Sequence, residues 1–188
     1  MMLASLNIDI VPLRIDDLKQ FIESRALFED KYKLQPSGLE LADAYKEELN
    51  EAIERAPNLW HSKNDDYLFH TLWVFIHRKQ KVIVGQFTFN GRPNQDGEVE
   101  VFFSIDKPFR RNGYATEVMQ TILNWASQDN TFKTILVEAD LNNKAAMASL
   151  KKVGFKKIAP SDNEEETEIT KYYKKVKFQP AIEELDFD

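Results

Sequence analysis

The residues best suited to chemistry lie in a short basic loop between a predicted strand and a predicted helix. Residues 106–117 read Asp-Lys-Pro-Phe-Arg-Arg-Asn-Gly-Tyr-Ala-Thr-Glu and follow the strand-like run at 99–105. Such a loop directs several unpaired backbone N–H groups and the positive end of a helix at one point in space, which is how proteins hold a pyrophosphate. We therefore expect a phosphate-bearing cofactor here.

Four positions in this loop have separate predicted tasks. Gly113 lets a phosphate come against the main chain, and Ala115 keeps the first helical turn free of bulk. Arg110 and Arg111 can donate charge-assisted hydrogen bonds to phosphate oxygens. The pattern Arg-x-x-Gly-x-Ala is short, and a strand-to-helix turn with a capping glycine and solvated arginines explains it equally well.

Length and composition narrow the class of protein. A chain of 188 residues with 43% apolar residues and 13 Phe is long enough for one good core and short for two, so we expect a single domain. The absence of cysteine excludes disulfides, a thiolate nucleophile and zinc-thiolate sites. The N-terminus lacks the features of a secretory signal, and the longest strongly apolar run, at 72–76, is far too short to span a bilayer. A cytoplasmic protein without a membrane partner is predicted.

The charges are unevenly distributed along the chain. Residues 1–66 hold 8 Lys/Arg and 14 Asp/Glu, a net charge of −6, whereas residues 106–157 hold 9 Lys/Arg and 5 Asp/Glu, a net charge of +4. A basic half suits a polyanionic cofactor and an acidic half suits a cationic substrate, although ordinary surface variation gives the same asymmetry. The overall charge of −6 argues against nucleic acid as the main partner.

The elements that must position the loop follow from apolar spacing. Before the loop, the sequence predicts a strand over 7–14, two helices over 15–22 and 41–56, a hairpin of strands over 68–78 and 81–90, and a strand over 98–105. After it come a helix over 113–128, a strand over 133–139, a short helix over 142–153, an acidic loop over 162–168, a strand over 169–178 and a tail over 179–188. This order is typical of an α+β fold on a mostly antiparallel sheet, whose one parallel unit is the strand–helix–strand passage from 98 to 139.

Two blocks together carry a family resemblance. The strand, Arg-x-x-Gly-x-Ala, helix and strand are followed by Asn142-Asn143-Lys144-Ala145-Ala146-Met147-Ala148-Ser149-Leu150-Lys151-Lys152-Val153-Gly154-Phe155. In order and separation these blocks resemble the GNAT superfamily of acetyl-CoA-dependent N-acetyltransferases, and within it the branch of ribosomal-protein N-terminal acetyltransferases. The match covers residues 98–157, and the segment over 25–66 has no counterpart.

The resemblance implies a fold and a cofactor site. It implies a mostly antiparallel sheet with a parallel, splayed strand pair flanked by helices. We expect one domain over 1–178, with a helical segment around 15–66 on the substrate side. Acetyl-CoA would lie in the splay between the strands over 98–105 and 133–139. The residues implied at the cofactor are Phe103, Ser104, Ile105, Arg110, Arg111, Asn112, Gly113, Tyr114, Ala115, Thr116 and Asn143. Lys151 or Lys152 could meet the adenosine phosphate, or be solvated helix lysines.

Glu100 is the residue that the resemblance implies for proton transfer. A lysine-like amine with a pKa of about 10.4 is almost wholly protonated at pH 7, so amide formation needs a proton acceptor. Glu100 matches the strand glutamate that some GNAT members use as general base, and Asn143, expected near the thioester, is the second catalytic candidate. Glu98 is the nearest rival because strand alternation puts both carboxylates on one face. A sheet glutamate paired with a lysine remains the structural alternative for Glu100.

Other expected groups are missing. Many GNAT members carry a tyrosine four residues before the Gly-Phe pair, where this chain has Leu150, and the ribosomal branch carries a serine where this chain has Ala146. A thiolate, whose ordinary pKa is near 8.5, leaves without a proton more readily than an alkoxide. The missing groups therefore weaken the argument for enzyme activity without refuting it. The three dispersed histidines, His61, His70 and His77, predict no metal site.

Together these features predict a monomeric or homodimeric acyltransferase. No nucleophile motif occurs, which fits direct attack of an amine on acetyl-CoA, with a small amine or amino acid as the acceptor. A protein N-terminus is the second candidate acceptor. A catalytically silent acyl-CoA-binding module is the remaining alternative, favoured by the missing tyrosine and serine.

Overall fold

The computed structural model describes residues 1–55, 58, 60, 66–159 and 169–180. Its eight strands form one sheet in the order β1-β2-β3-β4-β5-β6-β8-β7. The strands are β1 (Leu3–Ala4), β2 (Ile8–Pro12), β3 (Leu72–His77), β4 (Val82–Phe89), β5 (Glu98–Ile105), β6 (Thr134–Asp140), β7 (Lys156–Lys157) and β8 (Ile169–Lys175). Every neighbouring pair is antiparallel except β5 and β6, which confirms the predicted mostly antiparallel sheet with one parallel pair.

Five α-helices accompany the sheet within the described ranges. They are α1 (Ile15–Glu23), α2 (Arg25–Lys31), α3 (Asp43–Arg55), α4 (Tyr114–Ala126) and α5 (Lys144–Val153). Helix α4 crosses from the end of β5 to the start of β6, as a parallel pair requires. Helices α4 and α5 pack beside each other, and α1 packs against α2 and α3.

The two faces of the sheet are covered differently. Trp125 of α4 packs against Phe89 of β4, with ring centroids 5.7 Å apart, so we call this side the α4 face. The neighbouring residue Thr88 points to the opposite side by strand alternation, where its Oγ1 lies 3.5 Å from the Tyr45 hydroxyl of α3. We call this second side the α3 face. Any polar group of β5 or β6 that meets a substrate must be assigned to one of these faces.

Aromatic residues form much of the core. Trp60, Tyr67, Phe69 and Trp73 are all at most 8% exposed. Trp73, Phe89 and Phe132 surround Trp125 of α4, with ring centroids 5.4–5.7 Å apart. This aromatic cluster fixes α4 against the sheet and thereby fixes the loop that precedes it.

Several predicted boundaries were wrong. The strand predicted over 7–14 ends at Pro12, and the short strands β1 and β7 were not predicted. Three helices, not two, follow β2, because α2 was missed. The strand predicted from residue 68 begins only at Leu72, since Asp66–Phe69 form a 3-10 turn. His70, which the predicted strand would have included, therefore lies in a turn.

The later elements follow the predictions with shorter bounds. The helix predicted over 113–128 spans Tyr114–Ala126, the helix over 142–153 begins at Lys144, and the last strand ends at Lys175. The predicted acidic loop at 162–168, the C-terminal end of the helix predicted to residue 56 and His61 lie outside the described residues. Gln179 belongs to the predicted tail, and its N–H donates to the Ser127 carbonyl at 2.7 Å.

Candidate active site

The parallel strands β5 and β6 separate part of the way along their length. Their ladder runs from the pair Glu98–Thr134 to the pair Val101–Val137 and then stops, although both strands continue. Beyond that point the facing edges of 102–105 and 138–140 carry main-chain groups with no partner across the gap. Buried backbone groups need hydrogen bonds, so this splay suits an extended ligand that has amides of its own.

The predicted phosphate loop lies at the open end of the splay. After a 3-10 turn at Lys107–Phe109, Arg111 adopts φ +66° and Gly113 adopts φ +83° before α4 begins. The Asn112 side chain donates to the Phe109 carbonyl at 3.0 Å and so stabilises the turn. Within the described residues, the backbone N–H groups of 111–116 have no protein acceptor. These donors converge at the N-terminus of a 13-residue helix, a strong environment for an anion.

A cavity of about 340 Å³ joins the loop to the splay. Its walls come from the end of β5, the phosphate loop, the first turn of α4, the end of β6 and the first turns of α5. The lining residues are Phe103, Ser104, Ile105, Phe109, Arg110, Arg111, Gly113, Tyr114, Ala115, Glu138, Ala139, Asp140, Asn143, Ala145, Ala146, Ser149 and Leu150. The cavity thus brings together the two sequence blocks that are separated by α4 and β6.

Most of the predicted cofactor residues line this cavity. Those that do so are Phe103, Ser104, Ile105, Arg110, Arg111, Gly113, Tyr114, Ala115 and Asn143. Asn112 and Thr116 do not, because the Asn112 side chain turns back to the loop carbonyls and Thr116 lies deeper in α4. Arg110 has one donor engaged, since its Nε donates to the Ile105 carbonyl at 2.9 Å.

Asn143 has a structural task that its sequence position also explains. Its side-chain oxygen accepts a hydrogen bond from the Ala146 N–H at 3.1 Å, which makes Asn143 the N-cap of α5. A capping side chain of this kind stabilises a helix by about 1 kcal/mol. Asn143 also lines the cavity, so its side-chain NH₂ group stays available to a ligand.

Glu100 lies beside the cavity and not in its wall. It lies on the α3 face, one residue before Val101, at which the β5–β6 ladder ends and the splay begins. Its carboxylate accepts a hydrogen bond from the Asn90 side chain at 3.3 Å and is half-buried. No lysine contacts it among the described residues, which removes the specific sheet ion pair considered for this position.

The sequence analysis missed several cavity residues. Glu138 and Asp140 line the cavity, and strand alternation places both on the α3 face with Glu100. Glu138 pairs with Lys171 at 3.1 Å. Alternation along 134–140 could have indicated their shared face, but the residue at which the ladder stops is not encoded in any local pattern.

Three hydroxyl groups line the cavity, and one was overlooked. Ser104 and Tyr114 were predicted there, whereas Ser149 was not. The Ser149 hydroxyl donates to the Ala145 carbonyl at 3.0 Å and lies one residue before Leu150, the position where a tyrosine is common in the family. Leu150 and Ala146, where members of the family carry a tyrosine or a serine, have no hydroxyl, and Ser149 is a neighbouring hydroxyl on α5.

Neither described histidine lines the cavity, although the His77 ring packs edge-to-face on Tyr114 of the cavity wall, with ring centroids 5.5 Å apart. His70 is half-buried, and desolvation lowers the pKa of its imidazole below the ordinary value. His77 accepts a hydrogen bond from the Gln80 N–H through Nδ1 at 3.2 Å. Over the described ranges, no group of three or more His, Asp or Glu side chains could hold a metal ion. In that same part of the chain no helix is long and apolar enough to cross a membrane.

The site fits coenzyme A by its donors and by its shape. A hypothetical Cβ at Gly113 would have no protein atom within 4 Å, so open space lies against the main chain where a diphosphate needs it. The splay provides unpaired main-chain groups for an extended amide-containing arm. A mixed sheet with one splayed parallel pair and a helix N-terminus at its mouth defines an acyl-CoA-binding fold of the acetyltransferase class.

Comparison with known proteins supports that class. The family model described as Acetyltransferase (GNAT) domain matches residues 7–156. The chain therefore belongs to the GNAT acetyltransferase family, whose acetyl donor is acetyl-CoA. It is 32% identical over 83 residues to the uncharacterized N-acetyltransferase YjdG of Bacillus subtilis, a match that covers 44% of this chain and 49% of YjdG. The chain spans about half the length of that relative.

Solved structures share the fold at low sequence identity. The ribosomal-protein-S5-alanine acetyltransferase of Vibrio fischeri has a TM-score of 0.66 and 12% identity, and the match covers 96% of this chain and 100% of that chain. Spermidine N-acetyltransferase from Vibrio cholerae, in complex with CoA and spermine, has a TM-score of 0.59 and 13% identity, over 90% of this chain and 96% of that one. These likenesses extend the fold assignment across nearly the whole chain.

Proposed function

We propose that this protein transfers the acetyl group of acetyl-CoA to a primary amine by direct attack, with Glu100 as the base that removes the amine proton. The observation that carries the proposal is the joint position of the β5–β6 splay and the phosphate loop, which meet in one cavity. Family membership supports the reaction class, and the cavity supports the assignment of residues to it.

Each part of the cavity has a task in this proposal. The N–H groups of 111–116 and the Arg111 side chain hold the diphosphate, because they are donors without protein acceptors at a helix N-terminus. The main-chain groups of 103–105 that face the splay, other than the Ile105 carbonyl that Arg110 already occupies, pair with the pantetheine amides, as a strand pairs with an added strand. Acetyl-CoA supplies a thioester-activated acetyl group. Asn143 contributes its NH₂ group at the other wall.

The amine approaches from the α3 face. Glu98 and Glu100 of β5 and Glu138 and Asp140 of β6 all point to this side by strand alternation. Carboxylates that are not fully neutralised by neighbours attract a protonated amine, and only one of these four, Glu138, has a lysine partner in the described structure. This charge pattern favours a small cationic amine as the acceptor, with a protein N-terminus as the second candidate.

Proton movement centres on the amine. Glu100 accepts the proton of the ammonium, directly or through water, and Glu138 is the next carboxylate to consider because it lines the cavity. The C–N bond then forms and the C–S bond breaks, the second nitrogen proton passes to solvent, and coenzyme A leaves as the thiolate, since the ordinary pKa of a thiol is about 8.5. The Ser149 hydroxyl already donates to the Ala145 carbonyl, so we expect Ser149→Ala to lower kcat by less than about 10-fold.

Coenzyme A release with a panel of amines tests the proposed function. Acetyl-CoA is supplied with spermidine, lysine, a neutral primary amine or a peptide with a free N-terminus, and free thiol is measured. Spermidine is included because one structural relative is a spermidine N-acetyltransferase, and the peptide because the other is a ribosomal-protein-S5-alanine acetyltransferase. We expect amine-dependent release that is fastest for the cationic small amines. Binding of acetyl-CoA without acceptance of any amine would instead identify an acyl-CoA-binding module.

A further inference from the structure

A buried arginine on α2 contacts the first residue of the phosphate loop. The Arg25 Nη2 atom donates to Asp106 Oδ2 at 2.7 Å and to the Ile83 carbonyl of β4 at 3.0 Å. The Arg25 Nε atom donates to Glu29 Oε1 at 3.1 Å, and both residues are 2% exposed. One guanidinium group thus joins α2, the sheet and the loop in a place that water does not reach.

The Asp106 carboxylate is committed to Arg25. Asp106 directly precedes the 3-10 turn of the loop, but its side chain makes no capping hydrogen bond to that turn. Its side chain is only 13% exposed, and within the described residues its hydrogen-bond partner is Arg25. A buried carboxylate depends strongly on its partner, because an uncompensated buried charge is costly. The carboxylate therefore fixes Asp106 relative to α2 and not to its own turn.

The position of Asp106 determines how the chain enters the phosphate loop. Its N–H donates to the Val84 carbonyl at 2.9 Å, and its carbonyl accepts from the Phe109 N–H at 2.8 Å. On one side it is bonded to Ile105, a cavity residue, whose carbonyl also accepts from Arg110 Nε. A shift of Asp106 would thus move the last residue of β5 and the turn that directs the loop N–H groups.

We propose that Arg25 is a positioning residue for cofactor binding, which holds Asp106 so that the phosphate loop is arranged before acetyl-CoA arrives. The proposal rests on the proposed function, in that the loop is taken to hold the diphosphate. It also couples α2, part of the helical segment around 15–66, to cofactor binding. Coupling of this kind is reciprocal, so a bound cofactor must stabilise α2 as much as α2 stabilises the bound cofactor.

Substitutions at Asp106 and Glu29 separate positioning from stability. Asp106→Ala removes the group that Arg25 holds, Asp106→Asn keeps an oxygen that can accept from Arg25, and Glu29→Gln removes a buried carboxylate from the same network away from the loop. We expect Asp106→Ala to raise the Kd for CoA and the KM for acetyl-CoA about 10- to 100-fold, with kcat at saturating acetyl-CoA within twofold of the parent. We expect Asp106→Asn to recover most of this loss, and Glu29→Gln to lower the melting temperature while it leaves the Kd for CoA within threefold.

Amide hydrogen exchange on the unmutated protein gives an independent readout. CoA is expected to slow amide exchange in α2 at least threefold, because Arg25 of α2 holds Asp106 at the start of the loop. Two results together would support the proposal: protection of α2, and a Kd for CoA that rises in Asp106→Ala but not in Glu29→Gln. Equal CoA affinity in the parent and in Asp106→Ala, or no protection of α2, would overturn it while the proposed function stands. A parent protein that binds no CoA would overturn the proposed function itself.

Discussion

Glu98 and Glu100 offer a matched pair for locating the base, because both are half-buried glutamates on the α3 face of β5. Glu100 is nearer the splay, whereas Glu98 is at the start of the ladder. Each can be converted to glutamine without a change in size. Any difference between the two variants therefore reports their position relative to the acceptor.

We expect Glu100→Gln to leave CoA binding intact and to lower acetyl transfer to a lysine-like amine by about 10²- to 10⁴-fold at neutral pH. The reason is the scarcity of neutral amine: amines with pKa values near 10.4 and near 8 differ by about 2.4 units, or roughly 3.3 kcal/mol. Turnover at high pH should recover in part, since solution then supplies the free amine, and the loss should be smaller for an α-amine. Steady-state rates against pH measure this, with Glu98→Gln as the comparison. Full neutral-pH turnover by Glu100→Gln would make Glu100 a sheet residue and move the role to Glu138 or Glu98.

Asn143 combines a cap with a proposed ligand contact, and two substitutions distinguish them. Asn143→Asp keeps an oxygen that can cap α5, so its stability should stay close to the parent, whereas Asn143→Ala should lose about 1 kcal/mol. Both variants lose the side-chain NH₂ group, and we expect each to lower kcat/KM for acetyl-CoA about 10-fold. Chemical unfolding and initial rates measure the two effects. Parent-like activity in Asn143→Asp would restrict Asn143 to its cap.

At the scale of elements, local patterns could not show the splay, which only the family resemblance implied. The strand over 98–105, the loop and α4 were predictable, because a β-rich run, a glycine and a helical apolar period follow one another there. The residue at which the β5–β6 ladder ends follows no local pattern. For that reason the β5 side of the cavity was predicted, and the β6 side, with Glu138 and Asp140, was not.

Helix α2 was missed for a different physical reason. Its buried positions include Arg25 and Glu29, which pair with each other and with Asp106. Apolar periodicity predicts that charged positions are exposed, so a helix with two charged residues on its buried side does not show the expected pattern. The strands β1 and β7 have two residues each and are too short for any period.

Helix α4 is tied to the N-terminal segment by a glutamate. Glu117 accepts hydrogen bonds from the Ser5 hydroxyl and the Asn7 N–H, both at 2.6 Å, and from the Asn7 side chain at 3.0 Å. Burial alone would raise the pKa of Glu117, but these hydrogen bonds outweigh it and hold the pKa below its ordinary value of 4.5. A lowered pKa means that this contribution to stability is present above about pH 4.5 and is lost as the pH falls through the folded-state pKa.

We therefore expect Glu117→Gln to lower the free energy of unfolding by about 1–2 kcal/mol at pH 7. The difference from the parent should shrink as the pH falls below about 4.5, because the parent carboxylate becomes protonated. Urea unfolding between pH 7 and pH 3 measures it, with the exposed Glu54→Gln on α3 as the control. A difference that is the same at every pH would show that packing, and not the charge of Glu117, carries the contact.

At the scale of the whole molecule, acidic and basic residues are concentrated in different parts of the chain. Residues 1–66 have a net charge of −6 and residues 106–157 a net charge of +4. The sheet joins these regions: the phosphate loop lies in the basic region, whereas α1 to α3 supply the acidic one. The carboxylates on the α3 face of β5 and β6 extend the acidic surface to the splay.

This arrangement predicts a salt effect that depends on the acceptor. With acetyl-CoA saturating, kcat/KM for a polyamine should fall about threefold or more between low and high ionic strength, since screening sets in over about 8–10 Å at physiological salt. A neutral amine, which gains nothing from the acidic surface, should show no change. Initial rates over a salt series measure both. Equal salt responses for the two amines would reduce the charge asymmetry to ordinary surface variation.

The most direct test of the whole account is calorimetric titration of CoA into the parent protein and two glycine variants. Gly113→Val and Gly91→Val each place a side chain at positive φ, +83° and +77°, where a hypothetical Cβ would have no protein atom within 4 Å. Both should lose a similar amount of stability, about 1–2 kcal/mol, from the left-handed backbone. Only Gly113 lines the cavity, so we expect its variant to lose CoA affinity by 100-fold or more, while Gly91→Val binds as the parent does. Unchanged CoA affinity in a folded Gly113→Val protein would contradict the assignment of the loop and the splay as the acetyl-CoA site.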